Sequence, residues 1–148
     1  MKFLVDANVL SEAMRPAPNP HVLEWLAQNE TALAVNPVIL GEIEHGILLL
    51  PDGSRRDRLK AWFQAGVQKI RVVQMDTRTA SVWAALLARL RAQGISMPVK
   101  DSLIAASAQE HHLTVATRNL RDFQMCGVAV LNPFPAEFNS ASITSGQG

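Results

Sequence analysis

Acidic and amide side chains occur at four points of this 148-residue sequence where they can do chemistry together. Asp6 directly follows the apolar run of residues 3–5, Glu42 lies within a helical pattern, and Asp101 is close to the start of another. Asn119 follows a further short apolar segment. Carboxylates gathered in a partly buried crevice repel one another and tend to protonate unless a cation is present. Carboxylate oxygens with retained waters suit Mg²⁺ or Mn²⁺ better than zinc.

A divalent cation held by these acids indicates hydrolysis of a phosphodiester, because such an ion activates water and stabilises the charge of an in-line displacement. The predicted catalytic residues are Asp6, Glu42, Asp101 and Asn119. Asp6, Glu42 and Asp101 are the predicted metal ligands. Asp122, three residues after Asn119, is a further candidate that reaches the ion through water.

Each acid taken singly also has a structural interpretation. Asp6 can cap a helix, Glu42 can be an ordinary surface acid, and Asp101 lies in a first helical turn, where the helix dipole favours negative charge. Only their joint placement favours a metal site. The alternative of a different class is a non-catalytic binding module, whose acids dock a basic peptide or hold a structural ion.

The elements that must position these side chains alternate between short apolar strands and longer helices. Such alternation indicates βαβ units and a parallel sheet, so we expect an α/β fold with a central parallel sheet of about five strands. Polar residues that follow parallel strands meet at one edge of the sheet, where ligands bind. The expected strands are residues 3–5, 31–35, 70–74, 113–116 and 128–131.

The helix signals are caps, prolines and apolar spacing. Asn19-Pro20 and Asn36-Pro37 each predict a helix start, and Ser54 is the expected cap of a helix over residues 55–68. We expect that helix to bury Leu59, Trp62, Phe63 and Val67.

A second set of signals covers the longer helices. Asp76 or Thr77 is expected to cap a helix that ends at Gly94 and whose inward face is Ala80, Trp83, Leu87 and Leu90. The helix that contains Asp101 has almost no charged face, which predicts that it is buried. Gly41 and Gly46 flank Glu42 in a third helix, where glycine costs about 1 kcal/mol relative to alanine, and they suggest a closely approached surface.

Composition favours a single compact domain, with 48% hydrophobic and 18% charged residues. We expect this domain over residues 1–134 and a flexible C-terminal tail over residues 135–148. The lone Cys126 cannot form an internal disulfide, and no signal peptide or membrane-spanning run is visible, so a cytoplasmic location is expected. Glycine-rich phosphate loops, zinc-like Cys/His spacing and a serine elbow are absent from the sequence, and Asn8 stands where a haloacid-type phosphatase needs a second Asp.

With these residues in place, the sequence resembles the PIN domains, and among them the VapC-type toxins of bacterial toxin–antitoxin pairs. The resemblance covers about residues 2–134, and FitB-like members are especially similar. It rests on four ordered blocks: LVDANVLSE, LGEIEHGILLLP, PVKDSLIAASAQEHHLTVATRN and DFQMCGVAVLNPF.

The resemblance implies a three-layer α/β/α fold and a Mg²⁺- or Mn²⁺-dependent endoribonuclease, usually a homodimer, that a small DNA-binding VapB-type antitoxin neutralises. Asp6, Glu42 and Asp101 match the three principal acids of the family. The fourth family position, often Asp, is Asn119 here, which leaves one fewer charge beside the ion. An alternative within the family is a nuclease of RNA processing without a toxin role.

Basic residues are unevenly distributed, since residues 55–71 carry six basic and one acidic side chain. If the protein is a ribonuclease, this segment is expected to attract the RNA backbone. Such contacts increase affinity but give little sequence specificity. A solvated helix face, or a contact with the antitoxin or a second copy, is the alternative. The predicted RNA-binding residues are Arg55, Arg56, Arg58, Lys100 and Arg118.

Overall fold

A central parallel sheet organises the fold of the computed structural model, which describes residues 1–67 and 69–135. Within these residues the sheet has five strands in the order β3-β2-β1-β4-β5, and each neighbouring pair is parallel. This confirms the predicted sheet. The strands are β1 (Phe3–Val5), β2 (Leu33–Val35), β3 (Arg71–Val72), β4 (Thr114–Ala116) and β5 (Val130–Leu131).

The two faces of the sheet bury alternate residues of each strand. In β1, Leu4 packs into one apolar cluster while Phe3 and Val5 pack into another on the opposite face. This alternation is the period-two pattern of a strand covered on both sides. The first cluster is covered by four long helices and the second mainly by the helix Pro20–Gln28, which confirms the three-layer α/β/α arrangement.

Helices connect the strands and cover both faces. In the part of the chain that is described they are α1 (Ala7–Leu10), α2 (Pro20–Gln28), α3 (Pro37–Leu48), α4 (Ser54–Val67), α5 (Thr77–Ala92), α6 (Val99–His111) and α7 (Leu120–Gln124). Two 3₁₀ turns, Ser11–Met14 and Glu30–Ala32, complete them. The second turn takes up the residues with which β2 was predicted to begin, so that strand is shorter than expected.

The strand order places a crevice between β1 and β4. The chain moves outward from β1 to β2 and β3, then crosses back to β4 on the other side of β1. In open parallel sheets, ligands bind at this reversal, beyond the carboxyl ends of the strands. Asp6 and Thr117 are the residues that follow β1 and β4 at this edge.

The predicted inward face of α5 is confirmed at two positions and wrong at two. Leu90 is buried and Trp83 packs against the core, whereas Ala80 and Leu87 are exposed and Thr79 and Leu86 are buried instead. The cause is polar: Asp76 caps the helix in a capping box, and the Thr79 hydroxyl donates to Glu110 Oε1 on α6 at 2.7 Å. Apolar spacing alone could not show that a threonine points inward.

Three expectations about α3 and α4 also fail. Helix α4 begins at Ser54, and the carbonyl of Gly53 accepts from the Asp57 amide at 3.1 Å, so Ser54 is not the residue before the helix. Trp62 is 39% exposed, although Leu59 is buried as expected. A Cβ added at Gly41 or Gly46 meets no described atom within 4 Å, so nothing in this part of the chain approaches them.

Some of the predicted features lie outside the described residues. They are the burial of the Val67 side chain, the end of α4 at Gln68 and the flexible tail after residue 135.

Cys126 is buried, and its thiol donates to the Phe123 carbonyl at 3.0 Å. Among the residues described, none of the helices has the length and apolar character needed to cross a membrane.

Candidate metal centre

Asp6 is fixed by hydrogen bonds to both of its carboxylate oxygens. It caps α1, with Oδ1 accepting from the Ala7 amide at 2.8 Å. Oδ2 accepts from the Thr117 hydroxyl at 2.8 Å and from Asn8 Nδ2 at 3.3 Å. Burial raises the pKa of Asp6, and the bonds from Thr117 and Ala7 partly oppose that rise. Asp6 is therefore both a cap and a preoriented carboxylate at the crevice, so its two interpretations are compatible.

Asn8 and Thr117 tie the ends of β1 and β4 together. Asn8 Nδ2 donates to Thr117 Oγ1 at 3.3 Å, and Asn8 Oδ1 accepts from the Arg118 amide at 3.1 Å. Thr117 Oγ1 also accepts from the Asn119 amide at 3.0 Å. One hydroxyl thus links Asp6 to the loop that carries Asn119.

Helix α3 carries Glu42 and is pinned to α6 by Asn36, the capping residue before its first turn. The Asn36 side chain caps α3 by accepting from the Ile39 amide at 2.9 Å. Its Nδ2 donates to Ser107 Oγ on α6 at 3.0 Å, and Asn36 is fully buried. Because α6 carries Asp101, this contact sets the position of Glu42 relative to Asp101.

Glu42 has one paired and one unpaired oxygen. Oε2 lies 3.6 Å from Lys100 Nζ. Oε1 is buried and has no hydrogen-bond partner among the described residues. Burial raises the pKa of Glu42, the charge of Lys100 opposes the rise, and the charge of Asp6 adds to it. A buried carboxylate oxygen without a donor is costly unless another group meets it.

Asp101 is the point at which the acidic charges meet. It lies in the first turn of α6, as predicted, and the helix is buried along most of its length. The pKa of Asp101 is raised to about 6, mainly by burial and further by the charges of Asp6, Glu42 and Asp122. Four carboxylates therefore share one electrostatic environment.

The start of α6 is held by two further bonds. Trp83 Nε1 on α5 donates to Ser102 Oγ at 2.9 Å, and Ser102 Oγ donates to the Val99 carbonyl at 2.6 Å. These contacts fix the first turn of α6, in which Asp101 lies. No sequence motif predicts the Trp83 contact, because it depends on the packing of α5 against α6.

Asn119 and Asp122 form a pair at the start of α7. Asn119 Nδ2 donates to Asp122 Oδ2 at 2.8 Å. In the described part of the chain, the Asn119 side chain makes no capping bond to α7. The amide therefore orients Asp122, whose charge reaches Asp101. This arrangement favours Asn119 as a residue that positions Asp122.

The donor set suits a hard divalent cation. It consists of carboxylates that raise one another's pKa, together with the unpaired Glu42 Oε1. Among residues 1–67 and 69–135, no three Asp, Glu, His or Cys side chains are arranged as a ready-made ligand set. Mg²⁺ usually keeps several waters, so a closed protein cage is not required and an acid can hold the ion directly or through a water molecule.

The predicted RNA-binding residues fall into two groups. Lys100 and Arg118 lie at the acidic site: Lys100 pairs with Glu42, and the guanidinium of Arg118 lies 4.3 Å from the ring centroid of Phe134. Arg55 and Arg58 instead line a groove on α4 with Arg15 and Trp62. Arg56 pairs with Asp52.

Two contacts of charged residues were not foreseen from the sequence. Glu12 is a buried acid that accepts from the Asn19 amide at 3.2 Å and pairs with Arg15, so it holds the chain between α1 and α2. The pairing of Lys100 with Glu42 is the other. The sequence shows only that Lys100 is next to Asp101 in the first turn of a helix. It does not show that Lys100 pairs with Glu42, which lies on a different helix.

The sequence matches the PIN domain family over residues 3–126. The chain belongs to the PIN domain family. All three principal acids and the Asn119–Asp122 pair of this PIN domain lie inside the matched region.

Three curated relatives of this PIN domain match it over nearly their whole length. Plasmid stability protein StbB of Pseudomonas syringae pv. tomato is 37% identical over 90% of this chain and 99% of its own. Toxin FitB of Neisseria gonorrhoeae is 31% identical over 89% and 98%. VapC ribonuclease Y4jK of Sinorhizobium fredii is 30% identical over 89% and 97%.

A solved structure shares the fold of this PIN domain. The crystal structure of FitAcB from Neisseria gonorrhoeae contains a chain that superposes with a TM-score of 0.83 at 31% identity. The match covers 88% of this chain and 97% of that one. The parallel sheet and the helices that carry the acids are thus the arrangement of a PIN domain.

Proposed function

We propose that this PIN domain is a Mg²⁺- or Mn²⁺-dependent endoribonuclease that acts as the toxin of a toxin–antitoxin pair. The relatives named toxin and ribonuclease, at 31% and 30% identity over nearly their full lengths, support this class of activity. The observation that carries the proposal is that Asp6, Glu42 and Asp122 lie close enough to Asp101 for their charges to raise its pKa, at the crevice between β1 and β4.

Asp6, Glu42 and Asp101 are the proposed metal ligands. Asp6 Oδ2 is already oriented by Thr117, and Glu42 offers an oxygen that accepts no hydrogen bond from residues 1–67 or 69–135. Asp101 is half-buried, and a positive charge that enters the site favours loss of its proton. When bound, a divalent ion there supplies Lewis-acid stabilisation of the scissile phosphate and activates the attacking water.

Asn119 and Asp122 are proposed as positioning residues. The Asn119 amide holds Asp122, and the charge of Asp122 raises the pKa of Asp101. This arrangement lets Asp122 accept a bond from a water molecule between itself and the ion.

RNA is the proposed substrate, and its backbone is the part that this surface can hold. Arg118 lies beside the crevice, with its backbone amide bonded to Asn8 and its guanidinium on Phe134. The arginines of α4 lie on a separate groove and supply long-range attraction. Contacts of this kind bind RNA through phosphate without reading its sequence.

The proposed partner is a DNA-binding antitoxin of the VapB type, and the proposed assembly is a homodimer in the cytoplasm. The likeness to the FitAcB structure supports the antitoxin partner. An antitoxin that covers the acidic crevice would block RNA and explain neutralisation.

Expression in a bacterium tests the toxin role. We expect growth arrest with the wild-type chain, none with Asp6→Ala, and rescue by the cognate antitoxin. Glu24→Gln is the matched control, because Glu24 is an exposed acid of α2 that accepts a hydrogen bond from Gln28 of the same helix. Arrest that persists with Asp6→Ala would favour a non-catalytic binding module, and normal growth with the wild-type chain would favour a role in RNA processing.

A further inference from the structure

Lys100 places a positive charge inside the acidic site. Its Nζ lies 3.6 Å from Glu42 Oε2, and it is the sequence neighbour of Asp101. The side chain is 65% exposed, so its stem is free to move in solvent while its ammonium faces the acids. The same charge lowers the pKa of Asp6, Glu42 and Asp101.

The position of Lys100 is unfavourable for a lysine on local grounds. It is the second residue of α6, where the helix dipole favours negative charge and opposes a cation. The pairing with Glu42, which lies on α3, offsets that cost. The lysine is therefore stabilised at this position by the acidic site and not by its own helix.

We propose that Lys100 is a built-in counter-ion of the metal site: it pairs with Glu42 Oε2 when no divalent cation is bound and competes with a cation that binds the same carboxylate. This inference rests on the proposed metal site. It differs from the predicted role of Lys100 in RNA binding because it requires an effect on metal affinity without RNA.

Two physical consequences follow from such a counter-ion. The ammonium reduces the repulsion among the acids and so stabilises the metal-free fold. It also opposes the entry of a second cation, because both positive charges compete for the same carboxylates. Lys100 therefore weakens metal binding, although its charge, next to Asp101 in the sequence, also remains available to the RNA backbone.

Metal affinity measured by calorimetry tests the inference on the full chain, with Mn²⁺ as the probe and no RNA present. We expect Lys100→Met, which keeps the length of the side chain but removes its charge, to bind Mn²⁺ about fivefold more tightly than the wild type, as suits a partly exposed ion pair. Lys100→Arg keeps the charge and is expected to bind like the wild type.

Lys69→Met is the matched control. Lys69 is exposed and lies before β3, at the edge of the sheet opposite to the acids, so its loss changes net charge equally without touching the site. We expect its Mn²⁺ affinity to equal that of the wild type. A gain as large as that of Lys100→Met would make the effect one of net charge and would overturn the inference.

Thermal unfolding gives a second readout. Without metal, Lys100→Met is expected to have a lower Tm than the wild type, and saturating Mn²⁺ is expected to raise its Tm more. Unchanged Mn²⁺ affinity in Lys100→Met would overturn the counter-ion role and leave the ribonuclease proposal standing. A wild-type chain that binds no Mn²⁺ would overturn both this role and the metal dependence, and RNA cleavage in a chelator would then show whether the nuclease itself survives.

Discussion

At the scale of single residues, the site depends on acids whose charged forms are destabilised in the folded protein. Asp6, Glu42 and Asp101 all have a raised pKa, and burial is the largest cause for each. Acids used only for structure more often have a lowered pKa, as Asp76 does where it caps α5. The contrast separates a site built to receive a cation from a cap that is complete by itself.

The raised pKa of Asp101 predicts how the stability of the metal-free protein changes with pH. Folding raises its pKa from the ordinary 3.8 to about 6, so the folded state binds its proton more tightly than the unfolded state does. This contribution to stability is fully present below the unfolded pKa and is lost as pH rises through the folded pKa. In a chelator, we therefore expect the free energy of unfolding to fall between about pH 4 and about pH 7.

Asp101→Asn is expected to reduce that decline, because the amide has no proton to lose. Urea unfolding at several pH values measures it, with Glu24→Gln as a control that keeps the wild-type slope. An equal slope in Asp101→Asn and the wild type would show that Asp101 does not titrate in this range.

Thr117→Val tests the orientation of Asp6. The substitution keeps the shape of a buried side chain but removes the hydroxyl that donates to Asp6 Oδ2 and accepts from the Asn119 amide. We expect Mn²⁺ affinity to fall by about tenfold or more, the usual cost of losing a residue that orients a metal ligand. Thr79→Val is the control: Thr79 is also buried, but its bond goes to Glu110, so stability should fall without a loss of affinity.

At the scale of elements, the sequence was sufficient wherever local signals decide structure. Proline after Asn19 and Asn36 marked two helix starts, and the polar residue after β1 was placed correctly at the sheet edge. It was insufficient where a distant partner decides. Thr79 turns inward because Glu110 meets it, and the pairing of Lys100 depends on how α3 lies against α6.

Substitution of Asn36 is expected to lower the stability of the protein and also to weaken metal binding. Asn36→Ala removes the cap of α3 and the bond to Ser107 on α6, which should lower the free energy of unfolding by about 2 kcal/mol, counting a cap and a buried hydrogen bond. Because α3 also carries Glu42, Mn²⁺ binding should weaken. Urea unfolding and calorimetry measure the two effects.

Asn19→Ala is the matched variant for this prediction. It removes the cap of α2, which accepts from the His21 amide in an exposed position. A smaller loss of stability and an unchanged Mn²⁺ affinity are expected. If both variants weakened metal binding equally, the pinning of α3 to α6 would not be what positions Glu42.

At the scale of the whole molecule, strand order explains why residues far apart in sequence form one site. The reversal between β1 and β4 brings Asp6 next to Thr117, and the crossover helices α3 and α6 bring Glu42 and Asp101 to the same edge. Alternation of strands and helices predicted the parallel sheet, and the four sequence blocks that resemble PIN domains predicted the layers. Side-chain pairings such as Asn119 with Asp122 needed the structure, because spacing alone leaves open which residue supports the other.

RNA cleavage by the purified chain tests the central claim most directly. The measurement follows the products of a structured RNA with Mg²⁺, with Mn²⁺ and in a chelator, for the wild type, Asp101→Asn and Glu24→Gln. We expect cleavage by the wild type and Glu24→Gln only when a divalent ion is present, and a loss of at least about a hundredfold in Asp101→Asn, as for removal of a group that acts in the transition state. Equal cleavage by Asp101→Asn, or full activity in the chelator, would contradict the account.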